Sequence, residues 1–154
     1  MVNKYKQFES LEDDRIFSPG DVWKIRDELI SFPSADRVKG KRNVHPCRLV
    51  LITQNCEENS NKYFPIIRVA PLSTQIKHQQ KFDILLDKGV DIFGTNSQKC
   101  MIELQLEQPI LKKDLFEKVG YISDDKWNEV IALKTEIMGI DLSDEYELEE
   151  DIAE

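Results

Sequence analysis

For most of its length this chain arranges its hydrophobic residues in short extended segments, separated by Pro, Gly and polar residues. Residues 21–26, DVWKIR, alternate polar and apolar side chains with a period of two, which predicts a half-buried strand. Four further strands are predicted downstream, each bounded by turn residues or polar loops: 47–53, 64–72, 81–86 and 99–106. A succession of short strands of this kind favours a small sheet.

Beyond residue 107 the pattern changes to that of a helix. Residues 108–112 predict a short extended piece, residues 113–118 predict one or two helical turns, and Gly120 predicts a stop. Ser123 is typical of an N-cap, and Gly139 predicts the end of the helix that it starts. The apolar side chains of that helix recur at helical spacing: Trp127, Val130, Ile131, Ile137 and Met138. We therefore predict a mostly β or α+β fold, in which a small antiparallel barrel-like sheet packs against a C-terminal helix.

The length of 154 residues fits one domain with a tail at each end. The turn signal Pro19-Gly20 places the start of the domain, so we expect an N-terminal arm over residues 1–18, the domain over 19–140 and an acidic tail over 141–154. The longest apolar run, residues 49–52, is far shorter than the roughly 18 residues that a bilayer span needs. The polar N-terminus has no apolar segment of the secretory type. We therefore expect a cytoplasmic protein.

The net charge of −8 is concentrated in the C-terminal tail. Residues 139–154 hold eight acidic side chains and no Lys or Arg, so the remaining 21 acidic residues balance all 21 basic residues. Within this neutral body, basic side chains cluster in one segment: Arg37, Lys39, Lys41, Arg42, His45 and Arg48. Such a patch is typical of a surface that docks a phosphate backbone. A solvated loop whose charge serves solubility is the alternative.

The three cysteines give no sign of a metal site or a disulfide. Cys47, Cys56 and Cys100 form no C-x-x-C pair, and no histidine stands near them at zinc spacing. Cys47 and Cys100 lie in apolar surroundings, so we expect both to be buried free thiols. The sequence therefore predicts neither a bound metal nor another cofactor.

The order of the motifs is more specific than any one of them. They are the strand opening Gly20-Asp21-Val22-Trp23, the strand Pro46-x-x-Leu49-Val50-Leu51-Ile52, the segment Val69-Ala70-Pro71-Leu72-Ser73-Thr74, the tripeptide Glu107-Gln108-Pro109, and Val119-Gly120-Tyr121-Ile122-Ser123 before the helix. Five motifs in this order resemble the PemK/MazF family, the toxins of bacterial type II toxin-antitoxin systems. The resemblance extends from about residue 19 to residue 140.

The resemblance implies a small SH3-like barrel of the CcdB/MazF type that forms a homodimer. It also implies a metal-independent endoribonuclease that cleaves single-stranded RNA at short sequences and has a cognate antitoxin as partner. In such a reaction the 2′-hydroxyl attacks the adjacent phosphorus, giving a 2′,3′-cyclic phosphate and a 5′-hydroxyl. The reaction needs a base, an acid and a group that stabilises the charge of the phosphorane.

The catalytic arginine of the family falls on His45 in this chain, next to Pro46. An imidazole can act as acid or base near neutral pH, but it lacks the bidentate fork that arginine offers to a phosphate. Arg42, Arg48 or Lys41 are candidates to supply the missing charge. A structural histidine at a strand edge is the alternative.

The remaining site residues also follow from the resemblance. The hydroxyl of the family falls on Ser73, with Thr74 directly after it, and the alternation of a strand lets only one of them face the site. Glu107 matches an acid that stands before Gln-Pro in some members, which makes it a candidate general base, although the arginine two positions before it is Gln105 here. A turn cap for the hydroxyls and a solvated strand position for Glu107 are the alternatives. His78 lies in a polar loop, where it either contacts RNA or is only solvated.

Two hypotheses about function remain open at this point. The first is the RNA-cleaving toxin, and the second is a catalytically weakened relative that acts by binding a protein or nucleic-acid partner; the changes at His45 and Gln105 favour the second. The acidic tail adds a separate question. It resembles in composition the disordered segments with which antitoxins block an RNA channel, so it either competes with RNA for the basic patch or only serves solubility.

Overall fold

A computed structural model describes residues 9–38, 42–95 and 98–141 of the chain. Within these ranges it has eight strands and two α-helices: β1 (Asp21–Ile25), α1 (Pro33–Val38), β2 (Arg48–Ile52), β3 (Ile66–Ser73), β4 (Asp83–Leu86), β5 (Ile92–Phe93), β6 (Cys100–Glu103), β7 (Gln108–Leu111), β8 (Glu117–Ile122) and α2 (Asp124–Ile137). The strands form one antiparallel sheet in the order β4-β6-β3-β2-β1-β8-β5, and β7 pairs with the first half of β3. The sheet curves into a nearly closed barrel with α2 packed on it, which confirms the predicted fold class.

The central strands are continuously apolar because both of their faces are buried. On β2, Leu51 packs with α2 in one core cluster, whereas its neighbours Val50 and Ile52 pack in a second cluster on the opposite face. The second cluster is covered by Phe17 from the N-terminal segment and by Phe32 from the connection after β1. Because neither face of such a strand meets solvent, its apolar residues follow one another without the polar alternation of a half-exposed strand.

Helix α2 begins and ends where its sequence predicts. The Ser123 hydroxyl accepts a hydrogen bond from the Lys126 backbone N–H, at 3.2 Å, as an N-cap does. Val130 is fully buried against the barrel, with Trp127 and Leu133 packed beside it. Gly139 has a φ of 75°, the left-handed conformation that commonly ends a helix.

The prediction of helical turns over residues 113–118 and of a stop at Gly120 is wrong. Only Lys112–Asp114 forms a short 3-10 turn, and the chain then continues as strand β8, which pairs with β1 and β5. Gly120 lies inside β8, where a Cβ atom would stand 2.1 Å from the Phe93 carbonyl oxygen. The glycine is needed because β5 approaches so closely, not because an element ends there.

The segment 9–18, expected to lie outside the main fold, packs against it from residue 13 onward. Phe17 is fully buried in the second core cluster beside Trp23. The Arg15 guanidinium pairs with Asp13 and donates hydrogen bonds to the backbone oxygens of Leu115 and Lys112. An aromatic side chain and a paired arginine thus bind this segment to the barrel.

The remaining predictions concern the cysteines, the basic segment and the acidic tail. Cys100 is buried as expected, but Cys47 is exposed, because it precedes β2 instead of pointing into the core. The long connection after β1 contains helix α1, and its residues 39–41 lie outside the described residues, so the structure gives no position for Lys39 or Lys41. The tail from residue 142 also lies outside them. Among the described residues, no helix has the length and apolar character to cross a membrane.

Candidate active site

The start of β2 and the end of β3 meet at one edge of the sheet. These strands pair antiparallel with Val50 opposite Pro71, and Arg48 at the start of β2 donates a hydrogen bond to the carbonyl oxygen of Leu72 near the end of β3. His45, Arg48, Ser73 and Thr74 line a common pocket of about 210 Å³ there. The structure therefore brings together four of the side chains that the sequence predicts for the site.

A larger cleft of about 540 Å³ adjoins this pocket, and Ser73 and Gln75 line both. Its wall includes the start of α1 on one side and the paired strands β4 and β6 on the other. The polar side chains that line it besides the two shared ones are Ser34, His78, Gln80, Asp83, Glu103 and Gln105. His78 and Gln105, both named from the sequence, therefore belong to the larger cleft and not to the pocket of His45.

Ser73 and Thr74 both line the smaller pocket, although strand alternation predicts that only one of them faces it, because β3 ends at Ser73 and the alternation does not extend to Thr74. Ser73 is buried at the end of β3, whereas the following Thr74 is exposed. The Ser73 Oγ accepts a hydrogen bond from the Gln75 backbone N–H, at 3.1 Å, as a turn cap does. The same hydroxyl lies near the Glu103 carboxyl, where it acts to lower the pKa of that group. The serine is thus both a turn cap and a contact of an acidic side chain.

Glu103 is a residue that the motifs do not reveal. It ends strand β6, is partly buried in the larger cleft, and lies directly opposite Asp83 in the antiparallel register. Burial raises the pKa of the Glu103 carboxyl, and the negative charge of Asp83 adds to the rise. The hydrogen bond from Ser73 and the positive charge of Arg48 act in the opposite direction without cancelling it.

Asp27 holds two of the residues that line the smaller pocket, His45 and Arg48. Its side chain is fully buried and accepts hydrogen bonds from Arg48 Nε at 2.6 Å and from the His45 backbone N–H at 3.0 Å. Arg42 Nη1 forms an ion pair with the same carboxylate, at 2.8 Å. Burial alone raises the pKa of Asp27, but the hydrogen bonds from Arg48, His45 and Arg42 together lower it below the ordinary value.

Arg42 and Arg48 therefore already have an acidic partner in Asp27. Arg42 also pairs with Asp36 and donates to the backbone oxygens of Asp27 and Ile30. Arg48 also donates to the Leu72 carbonyl oxygen, at 3.1 Å, and keeps a fifth of its side chain exposed. Arg48 thus presents a partly neutralised guanidinium to the pocket, whereas Arg42 is engaged as a structural cation. Arg37 is exposed on α1 and lines neither pocket.

Glu107 lies away from both pockets. Its carboxylate forms ion pairs with Lys134 on α2, at 2.8 Å, and with Arg68 on β3, at 3.1 Å. Burial raises the pKa of Glu107, but the contacts with Lys134 and Arg68 outweigh that effect and lower it. The structure therefore places this carboxylate in a link between the helix and the sheet and does not bring it to His45 or Ser73.

Sequence reasoning missed Asp27, Asp83 and Glu103. The last two stand in predicted strands, where a single acidic residue is usually solvated, and only the register of β4 with β6 places them side by side. Asp27 lies two residues after the end of β1 and is 18 residues from His45 in the chain. An acidic residue just after a strand was the one available signal for it. Among the described residues no group of three or more potential metal ligands occurs.

The fold matches those of solved toxins. A toxin of Mycobacterium tuberculosis, MazF-mt6, shares 19% identity with this chain over 62% of it and 89% of the toxin, with a TM-score of 0.51. MazF of a MazE-MazF structure from Deinococcus radiodurans shares 13% identity over 83% of this chain and all of the matched chain, with a TM-score of 0.56. An endoribonuclease in complex with its cognate antitoxin, from a mycobacterial species, shares 10% identity over 84% of this chain and 97% of its own, with a TM-score of 0.53.

The class defined by these similarities is the MazF-type barrel. At 10 to 19% identity, the likeness establishes the fold of this chain and leaves its activity to be argued from its own residues. No protein-family model matches the sequence, and no curated protein matches it. More specifically, this chain has the MazF-type fold, with His45, Ser73 and Thr74 in one pocket at an edge of its sheet.

Proposed function

We propose that this protein is a metal-independent endoribonuclease that cleaves single-stranded RNA, the toxin of a type II toxin-antitoxin system. The observation that carries the proposal is the shared pocket of His45, Ser73 and Thr74 on a MazF-type barrel. Each of these side chains holds a proton that an attacking or departing oxygen can exchange, or a hydroxyl that binds a phosphate oxygen. The domain that carries the activity is residues 19–140.

The chemistry of the pocket fits attack by the 2′-hydroxyl on the adjacent phosphodiester. The exposed imidazole of His45 exchanges a proton with one of the reacting oxygens, since histidine changes its charge near neutral pH. The Thr74 hydroxyl and the free edge of Arg48 bind the non-bridging phosphate oxygens, where negative charge grows in the transition state. The products are a 2′,3′-cyclic phosphate and a 5′-hydroxyl, and no metal or other cofactor takes part.

The partners follow from the same proposal. Two of the matched structures hold a MazF or an endoribonuclease together with its antitoxin, which supports a cognate antitoxin for this chain. We further propose a homodimer that acts on RNA in the cytoplasm. The exposed Arg37 and His78, with Lys39 and Lys41, are the candidates for contacts to the RNA backbone beyond the pocket.

Incubation of the purified chain with a long single-stranded RNA in excess EDTA tests the proposal. We expect cuts at discrete positions, with 5′-hydroxyl and cyclic-phosphate ends, and we expect His45→Ala to abolish them. His78→Ala is the comparison variant, because this second histidine of the chain lines only the neighbouring cleft, so it should weaken binding of RNA and leave the cuts in place. RNA that stays intact at a large excess of protein over a set of unrelated sequences rules the activity out.

A specific observation favours a second function, that of a weakened relative that binds a partner without cutting. The fork of Arg48 is bound to Asp27 and to the Leu72 carbonyl, and His45 replaces the motif arginine, so the pocket offers a phosphate little free positive charge. On this alternative the protein retains binding to its antitoxin or to RNA but leaves every RNA intact. Binding of RNA without any cut in the assay above supports it.

A further inference from the structure

We infer that Glu103 is a further catalytic residue of the proposed reaction, the group that takes the proton of the attacking 2′-hydroxyl, with His45 as the group that gives a proton to the departing 5′-oxygen. This inference rests on the proposed function and assigns the roles within it. The two pockets meet at Ser73 and Gln75, with His45 lining the smaller one and Glu103 the larger. An RNA strand that crosses Ser73 therefore has an acid–base group on each side of it.

The position of Glu103 is held by its neighbours. Ser73 lies beside the Glu103 carboxyl and limits the rise of its pKa, and the Ser73 Oγ accepts a hydrogen bond from the Gln75 N–H at 3.1 Å, which fixes the serine at the end of β3. Strand pairing with β4 sets Asp83 directly opposite Glu103, and the Asp83 Oδ2 is itself engaged with the Gln80 N–H at 2.8 Å. A carboxylate that is oriented in this way at the floor of a cleft has the fixed placement that proton transfer requires.

The surroundings of Glu103 suit a base that is stronger than an ordinary glutamate. Burial and the facing Asp83 raise its pKa, whereas Ser73 and Arg48 limit the rise. His78, on the turn after β3, lines the same cleft and is the remaining titratable side chain along its wall. A raised pKa makes the ionised carboxylate a stronger proton acceptor than an ordinary glutamate.

The bond from the 2′-oxygen to phosphorus forms as the bond from phosphorus to the 5′-oxygen breaks. The proton of the 2′-hydroxyl passes to the Glu103 carboxylate, and a proton of the His45 imidazolium passes to the departing 5′-oxygen. Exchange with water then takes the proton from Glu103 and returns one to His45, which restores both groups for another turnover.

The competing candidate for the base is Glu107, which the family motif indicates. Its carboxylate is bound to Lys134 and Arg68, and both contacts lower its pKa, which weakens it as a proton acceptor. It also lines neither pocket among the described residues. Geometry and electrostatics therefore both favour Glu103, four residues earlier in the chain.

The test measures single-turnover cleavage of a long single-stranded RNA in EDTA, from about pH 5 to 9, with wild type, Glu103→Gln, Glu103→Asp and Glu107→Gln. Glu117→Gln on β8 is the matched control, because this exposed glutamate contacts only Lys24 among the described ion pairs. An all-2′-deoxy version of the same strand, which has no attacking hydroxyl, measures binding separately. Thermal unfolding confirms that each variant is folded.

We expect Glu103→Gln to slow cleavage about 10²- to 10⁴-fold while binding of the deoxy strand changes less than about threefold. The rate of wild type should rise with pH on the acidic side as Glu103 loses its proton, and this limb should be missing from the residual activity of Glu103→Gln. Glu103→Asp should restore part of the rate. Glu117→Gln should match wild type over the whole pH range.

Three outcomes overturn the inference, and they are distinct from failure of the proposed function. A rate of Glu103→Gln within about threefold of wild type removes Glu103 from the chemistry, and a loss confined to binding makes it a recognition residue instead. Loss of the acidic limb in Glu107→Gln, with the limb kept in Glu103→Gln, assigns the base to Glu107. Absence of cleavage by wild type on every RNA contradicts the proposed function itself, and the role of Glu103 with it.

Discussion

Two glutamates four residues apart occupy opposite electrostatic environments. Glu103 lies in a cleft with a serine hydroxyl and faces the carboxylate of Asp83, so burial and repulsion raise its pKa. Glu107 lies between helix and sheet with Lys134 and Arg68 bound to it, so its pKa is lowered. A pair of like groups whose environments move their pKa values apart is typical of a division between chemistry and structure.

The charge of a carboxylate has different consequences for stability at the two positions. At Glu107 the ionised form is stabilised by its partners, so the folded protein gains from it. At Glu103 the ionised form is poorly compensated, so the folded protein tolerates it at a cost in free energy. Residues kept at a cost in stability are often the ones that bind or react. Removing charge at the two positions should therefore change stability in opposite directions.

The largest loss of stability is expected on removal of Asp27. Unlike the two glutamates, this carboxylate is fully buried and paired with two arginines. Asp27→Ala leaves the Arg42 and Arg48 guanidiniums without their common acceptor and should lower the free energy of unfolding by about 3–5 kcal/mol. Urea unfolding at neutral pH measures the change. Asp36→Ala is the control, because this exposed carboxylate pairs with Arg42 and accepts a hydrogen bond from the Phe32 backbone N–H, and its loss should cost only about 1–2 kcal/mol. Equal effects of the two variants contradict the organising role of Asp27.

Glu107→Gln should destabilise the protein by about 1–3 kcal/mol at pH 7, because the ion pair with Lys134 and the charged hydrogen bond from Arg68 are lost. The pKa of Glu107 is lower in the folded state than in the unfolded chain. Its contribution is therefore present above the unfolded value of about 4.3 and is lost as the pH falls through the folded value. Urea titrations at several pH values should show the difference from wild type shrinking toward acid. A difference that stays constant or grows toward acid contradicts the pairing.

The coupling of Glu107 to α2 should be about 1 kcal/mol in a double-mutant cycle with Lys134→Met. Lys134 also donates to the Thr53 carbonyl oxygen, so the single variant alone overstates the worth of the pair. The matched cycle of Lys24 and Glu117, an exposed pair on neighbouring strands, should give a smaller coupling of below about 0.5 kcal/mol. Equal couplings in the two cycles make Glu107 an ordinary surface residue.

The smallest effect, and the one of opposite sign, is expected for Glu103→Gln. The neutral amide avoids the cost of burying an ionised carboxylate, so the variant should be as stable as wild type or more stable by up to about 1 kcal/mol at pH 7. The pKa of Glu103 is raised on folding, so this cost is absent below about pH 4.3 and is complete above the folded value. The advantage of the variant should therefore grow as the pH rises. A variant less stable than wild type at pH 7 contradicts the assignment.

Much of the fold could be predicted because local patterns carry it. Turn residues bound the strands, and the Ser123 cap with the apolar stripe after it specifies α2. Strand β8 was missed because Glu117 and Lys118 have no alternation that separates a strand from a helical turn, and Gly120 resembles an end. Its place follows only from pairing with β1, a contact about a hundred residues away in the chain.

The candidate site was predictable only where a motif marks it. His45, Ser73 and Thr74 were found through motif order, and the pocket brings them together. Glu103 depends on the register of β4 with β6, which no local pattern encodes. The basic segment around Arg42 and Arg48 shows positive charge in the sequence, but its neutralisation by Asp27 is a tertiary contact.

The central claim is that Glu103 and Glu107 hold their protons at different pH values, and an NMR titration of their carboxyl carbons measures this directly. The signals are assigned by their loss in Glu103→Gln and in Glu107→Gln. We predict a midpoint for Glu103 above the ordinary value of about 4.3 and a midpoint for Glu107 below it. A midpoint of Glu103 equal to or below that of Glu107 would contradict the account.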